Sequence, residues 1–342
     1  MTPAPLPLKS KVFLALGGCV FALVVSAIAL QFISFGGRGT EFNTIDDVRR
    51  AMLAPSNSGS SELSGEDGKP VSLRAVVAPH PDDHIIYTLK PNLNLQFIRA
   101  NVTTNSCGMR SPERPVAKPK NTYRIALLGD SFAFGWGVEQ KETFAQVLED
   151  TLNRISNGGP KFEVLNFGVP GYSTFQEVAL FKEMGVQFQP DAVLVYFVQN
   201  DFGMPFFIRD ISGKGGILTS LKFVQLGRQL FSPGELDKQM QSIGLDPYRA
   251  FANLDETCRE EGLKCFLTIN PRKSEMSDFS KLKRLRGLNI RFLPLRESLM
   301  EYINRHKIPE DKLTLSFDPH PSPLRHNILG SVLAPFFMEA LQ

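Results

Sequence analysis

The stretch "ALLGDSFAFGWG", Ala126 to Gly137, sets a serine among small residues where an apolar run stops. A serine hydroxyl is a weak nucleophile until a neighbouring base takes its proton. The competing reading is that Ser131 caps the helix that follows, a role that serine and aspartate both fill well. A base must come from the chain's five histidines. His320 lies in "SFDPHPSP", two residues after Asp318, in a loop stiffened by Pro319, Pro321 and Pro323. A carboxylate beside an imidazole selects its tautomer and stabilises the imidazolium formed when it accepts a proton. His320 is therefore the best base, with Asp318 to orient it. His326, in the first turn of the next helix, suits packing or capping. His306 ends a helix beside Arg305 and Lys307, where positive charge is favoured. His80 and His84 flank Asp82 and Asp83 in "APHPDDH", a metal-site composition, but only a short proline-broken segment follows and a polar turn is the plainer reading. Cysteines 19, 107, 258 and 265 lack metal-ligand spacing, and Cys258 and Cys265 read as two buried thiols rather than a bridge.

These groups need elements to bring them together. From Tyr123 onward, strand-like and helix-like segments alternate. "YRIALLG", "FEVLNFG", "DAVLVYFVQ" and "LKCFLTIN" are nearly continuous in apolar residues, as strands covered on both faces are. "TFAQVLEDTLNRI", "TFQEVALFKEMGV", "YRAFANLDETCREEG" and "LPLRESLMEYINRH" are helical by periodicity, and a last helix starts near Leu324. This alternation implies a three-layer α/β/α fold with a parallel sheet over residues 121–342. Active residues in such sheets gather at the carboxyl ends of strands. Ser131, Gly171 and Asn200 each lie just past such an end. Residues 71–120 read as a small β-rich lead-in, and residues 202–245 as an insertion that could form a lid or substrate wall. "SKLKRLRGLNIR", Ser280 to Arg291, could meet an anionic glycan or a membrane surface, although such runs are more often solvated faces.

The N-terminus carries a different signal. After Lys9 and Lys11 no charge appears until Arg38. An uncharged apolar run of roughly 20 residues can cross a bilayer as a helix. Residues 1–11 are accordingly expected as a cytoplasmic tail and 12–37 as a transmembrane anchor, or a signal. Residues 38–70 would form a short helix and a flexible tether, leaving the body of the protein outside the cytoplasm. Net charge is only +3 over 342 residues, too mild to argue for nucleic acid.

In order along the chain, "GDSFAFGWGV", "NFGVPGYST", "QND" and "DPHPS" resemble the four sequence blocks of the SGNH (GDSL-type) hydrolases. "YTLKPN" and "TNSCGMRSPERP" resemble the lead-in of membrane-anchored bacterial members. The resemblance covers about two thirds of the chain and implies the SGNH-type, flavodoxin-like variant of the α/β/α fold. It implies that Ser131 attacks an ester carbonyl, that His320 is the base and that Asp318 orients it. The oxyanion would be held by the backbone N–H groups of Ser131 and Gly171 and the side-chain amide of Asn200. Three positions depart from the family pattern: Asp-x-His replaces Asp-x-x-His, Val198 stands where glycine is usual, and Ser322 follows His-Pro where asparagine is usual. No metal or organic cofactor is implied, since an acyl-enzyme route needs none. The expected function is an extracytoplasmic serine esterase at the bacterial inner membrane, its catalytic domain periplasmic, which deacetylates an envelope carbohydrate or glycolipid. An O-acetyltransferase served by a multi-spanning membrane acyltransferase would use the same groups, and a non-catalytic glycan-binding module is the third reading.

Overall fold

Strand β9, Ala192–Phe197, is buried along its whole length. Its residues alternate between two hydrophobic clusters: Val193, Val195 and Phe197 join one, and Ala192, Leu194 and Tyr196 join the other. Both faces of this strand are therefore covered, which explains its uninterrupted apolar sequence. The computed structural model describes residues 44–53, 62–64, 70–198, 201, 243, 245–270 and 283–341. The proposed anchor at 12–37, most of the 202–245 insertion and Asn200 lie outside these residues. Among the described residues no helix is long and apolar enough to cross a membrane.

Five strands form one sheet in the order β11-β10-β9-β7-β8. They are β7 (Thr122–Leu128), β8 (Lys161–Asn166), β9, β10 (Lys264–Ile269) and β11 (Ile290–Phe292). Every pairing is parallel. The carboxyl ends of β7, β8 and β9 consequently lie side by side, and the loops after them converge. On one face pack the helices Phe144–Ile155 (α3), Leu295–His306 (α6) and Pro323–Leu341 (α7). The helices Thr174–Leu180 (α4) and Pro247–Glu260 (α5) pack on the other. Two short helices also lie among the described residues, Ile45–Leu53 (α1) and Ser131–Phe134 (α2).

Three two-stranded antiparallel pairs precede the sheet: β1 (Glu62–Ser64), a strand within the segment expected as tether, pairs with β2 (Pro70–Ser72), and in the lead-in β3 (Val77–Pro79) pairs with β4 (Tyr87–Leu89) and β5 (Asn94–Phe97) with β6 (Ala100–Thr103). Val77, Tyr87, Leu89, Phe97 and Val102 are buried in the same cluster as α4 and α5, so the lead-in extends the core of the sheet.

Three features differ from expectation. β11 falls in the basic stretch and was not anticipated: it is three residues long, sits at the sheet edge and exposes Arg291 and Phe292. Asp318–Pro321, expected as a loop, forms strand β13 against β12, Thr314–Leu315. Cys258 and Cys265 are joined in a disulfide, not two thiols. The turn between α5 and β10 brings their Cα atoms to 6.3 Å, inside the range a disulfide spans. In the basic stretch Leu285 is buried while Arg284 and Arg286 are exposed, and Arg284 lies over the Tyr248 ring.

Candidate active site

The cap question at Ser131 has a structural answer. Asp130 is the N-cap of α2, and its Oδ1 accepts a hydrogen bond from Phe132 N at 2.9 Å. Ser131 is the first helical residue; its hydroxyl lies 3.4 Å from Asp130 Oδ2, a long contact, and also faces another element. Its Oγ lies 2.8 Å from His320 Nε2. On the far side of the imidazole, Nδ1 pairs with Asp318 Oδ1, and the same oxygen accepts from His320 N at 2.9 Å. Thus 189 residues of sequence separation close into one line of three side chains at the carboxyl edge of the sheet.

This line is partly shielded. Ser131 is 9% exposed, and the imidazole lies between Phe132 and Trp136, with ring centroids 5.1 and 5.2 Å away. Burial alone raises the Asp318 carboxyl, but the hydrogen bonds and charge of His320, aided by Trp136, outweigh it and hold Asp318 below its usual value. An ionised carboxylate there fixes the tautomer that leaves Nε2 able to accept from Ser131.

The loop after β8 approaches the same edge. Gly171 has φ 80°, a conformation that disfavours side chains, and directly follows Pro170, whose carbonyl accepts from Tyr87 Oη at 3.0 Å. Gly168 lies so close to α2 that an added Cβ would sit 2.4 Å from Phe134 N. Asn166 ties the two loops, donating from Nδ2 to Ala133 O and accepting from Gly168 N, both at 2.9 Å. Gln199 and Asn200 lie in sequence between Val198 and Asp201, which exchange hydrogen bonds of 2.7 and 3.0 Å. Val198 is buried among core residues, and Ser322 Oγ accepts from Arg325 N in the first turn of α7.

The remaining histidines stay apart from this line or serve it structurally. His80 Nε2 faces Glu183 at 3.3 Å, and His84 N donates to Asp82 in a turn. That turn borders a cavity of about 470 Å³ between α4 and α5, lined by Phe175, Lys182, Glu183 and Arg249 among others. Among the described residues no three His, Cys, Asp or Glu side chains gather to hold a metal. His306 Nδ1 contacts Tyr302 O at the end of α6. His326 is fully buried and its Nδ1 accepts from Phe144 N at 3.1 Å, capping α3 from α7.

Burial, with the charges of Arg110, Arg325 and His320, lowers His326 to about 3. It stays neutral in the fold, whereas an unfolded histidine charges near pH 6.5 (roughly its reference value). Between those two values the unfolded chain binds the extra proton, so stability falls as pH drops. The expected loss approaches ~1.4 kcal/mol per pH unit below about 6. Asparagine keeps an acceptor for Phe144 N without titrating, so urea unfolding of His326→Asn between pH 7 and 4.5 should show a visibly flatter decline than wild type. An equally steep decline would assign the acid sensitivity elsewhere.

Sequence reasoning missed three residues around the site: Arg110, Asn166 and Trp136. It also missed Glu177, a buried carboxyl on α4 that burial and nearby Asp130 raise well above its usual value. Arg110, Asn166 and Trp136 lie inside the quoted blocks and Glu177 inside a periodic helix, but nothing in those stretches sets them apart from their neighbours, because each acts through contacts with distant segments.

No family model matches the chain, and no curated protein sequence matches it. Solved structures similar to it include the lipase/acylhydrolase from Enterococcus faecalis, at 18% identity, 64% of this chain, 96% of that chain and a TM-score of 0.38. A two-domain esterase (CEX) active on acetylated mannans is similar at 15% identity, 64% of this chain, 49% of that chain and a TM-score of 0.43. The acetyl xylan esterase AlAXEase is similar at 13% identity, 64% of this chain, all of that chain and a TM-score of 0.41.

Proposed function

We propose that the protein is a serine ester hydrolase working through an acyl-enzyme on Ser131. One observation carries this reading: Ser131 Oγ stands 2.8 Å from His320 Nε2, with Asp318 on the opposite ring nitrogen. His320 takes the serine proton as Oγ attacks the ester carbonyl, then passes it to the leaving alkoxide. Water, deprotonated by the same imidazole, attacks the acyl carbonyl and returns the serine. Ser131 N–H, Gly171 N–H and the Asn200 amide are the assigned donors to the oxyanion, and removing one such donor commonly costs about 3 kcal/mol of transition-state stabilisation.

The substrate we assign is an O-acetylated carbohydrate or glycolipid of the cell envelope, met outside the cytoplasm by a domain tethered through residues 12–37. The apolar N-terminal run supports that placement, and so does the Cys258–Cys265 disulfide, since such bonds persist in oxidising compartments. A fluorophosphonate probe tests the nucleophile: attack by Oγ expels fluoride and leaves a phosphonyl mass on the serine. Expected is a single adduct on Ser131 in the full chain, blocked by prior incubation with an acetylated oligosaccharide. No adduct, or one on another serine, would overturn the assignment. Acetate found on added sugar rather than in solution would identify transfer in place of hydrolysis.

A further inference from the structure

The function so far leaves Trp136 unused, yet it is built into the site with unusual economy. It is the chain's single tryptophan and 5% exposed. Its ring stacks on the imidazole of His320 at 5.2 Å with the planes 23° apart. Phe97 of the lead-in packs edge-on against it at 5.3 Å, and its backbone N–H donates to Ser131 O at 3.0 Å. The indole N–H makes a small contribution to holding Asp318 below its usual value, and Nε1 is buried with no hydrogen-bond partner among the described residues.

We propose that Trp136 is a positioning residue that stabilises the charged form of His320 by presenting its ring face to the imidazolium. The inference rests on the serine-hydrolase reading for its catalytic meaning, but not for its physical content. A cation over an indole face is attracted by the ring quadrupole, most strongly where water is excluded. In the catalytic cycle His320 becomes a cation as it takes the proton from Ser131, so the contact is stronger in the transition state than before it and raises kcat rather than binding. Asp318 on the same strand, Ser131 and Asp130 on the nucleophile turn, and neutral His326 on α7 are the other polar or charged groups around this imidazole, and the charges of Arg110 and Arg325 act on His326.

The tests use the full chain. Tryptophan emission followed from pH 8.5 to 4.5 should be quenched in one step in wild type, and that step should be absent in His320→Gln. The charging of His320 itself is then read by NMR in wild type, Trp136→Leu and Trp136→Phe. Loss of the indole should move its midpoint to lower pH, by about half a pH unit or more in Trp136→Leu and less in Trp136→Phe, which keeps a ring face. With p-nitrophenyl acetate, Trp136→Leu should lower kcat roughly 2- to 30-fold, shift the acid limb the same way and leave KM within about twofold. If Trp136→Leu does not fold, Trp136→Phe carries the comparison. A midpoint that does not move, or a rate lowered equally at every pH with the acid limb fixed, reduces Trp136 to packing and overturns the proposal. A wild-type protein that turns over no ester but shows the displaced midpoint leaves the role of Trp136 standing and retires the hydrolase reading instead.

Discussion

Ser131→Ala loses about 10⁴- to 10⁶-fold of ester turnover, the cost of deleting a triad nucleophile, while unfolding within about 0.5 kcal/mol of wild type. The two halves of this expectation come from one local structure. Helix α2 is capped by Asp130, so removing the Ser131 hydroxyl takes away no capping bond. What it removes is the atom 2.8 Å from His320 and a long, 3.4 Å contact to Asp130 Oδ2. Asp130→Ala should behave oppositely, losing about 1 kcal/mol of stability through its bond to Phe132 N. Parallel urea titrations and p-nitrophenyl acetate assays on the two variants separate these effects. If Ser131→Ala keeps wild-type turnover, the imidazole beside it serves some other purpose and the hydrolase assignment fails. If instead Ser131→Ala is strongly destabilised, the hydroxyl is part of the fold's framework.

Much of this arrangement is legible in the sequence because the sheet is covered on both sides. Doubly buried strands such as Ala192–Phe197 have no polar face, so they stand out as unbroken apolar runs. Once four such strands are placed, Ser131 and Gly171 fall at their carboxyl ends by counting. Ile290–Phe292 has no such signature, since an edge strand with exposed Arg291 and Phe292 carries the composition of a surface loop. The prolines around His320 suggest a loop for a similar reason, yet proline is tolerated on the short edge pair that Asp318–Pro321 makes with Thr314–Leu315. The disulfide is hidden because seven residues of separation say nothing about whether a helix end and a strand start face each other. Least legible are the braces. Tyr87 on Pro170, Ser111 on Asn166 and Gln176 on Ile85 link the lead-in to the loops and helix at the carboxyl edge of β7 and β8. No periodicity in residues 71–120 announces that their task is to fix loops elsewhere in the chain.

Arg110 is the strongest of these braces, and Arg110→Met should cost about 3–5 kcal/mol of stability and most of the activity together. Its side chain is 1% exposed and enters the turn that follows the nucleophile. Nη1 donates to Phe134 O and Gly135 O, and Nη2 donates to Val138 O at 2.6 Å and Asn101 O at 3.3 Å. Burial lowers its guanidinium to about 10, opposed by the charge of Glu139, so it remains a cation at neutral pH. Methionine fills much of the same volume but offers no donor, which strands these carbonyls in the interior at about 1–3 kcal/mol each before relaxation. Relaxation would be at the expense of the Gly135–Val138 turn, and that turn carries the ring stacked on His320. Lysine cannot substitute fully, because a single ammonium lacks the planar fork that reaches four carbonyls at once. Arg110→Lys should therefore recover part of the stability and less of the turnover. Urea unfolding gives the first quantity, and p-nitrophenyl acetate turnover measured well below the melting temperature gives the second. A variant that unfolds like wild type would show that the lead-in is an ornament on the sheet. One that is destabilised but fully active would show that the turn holds Trp136 and Ser131 in place without it.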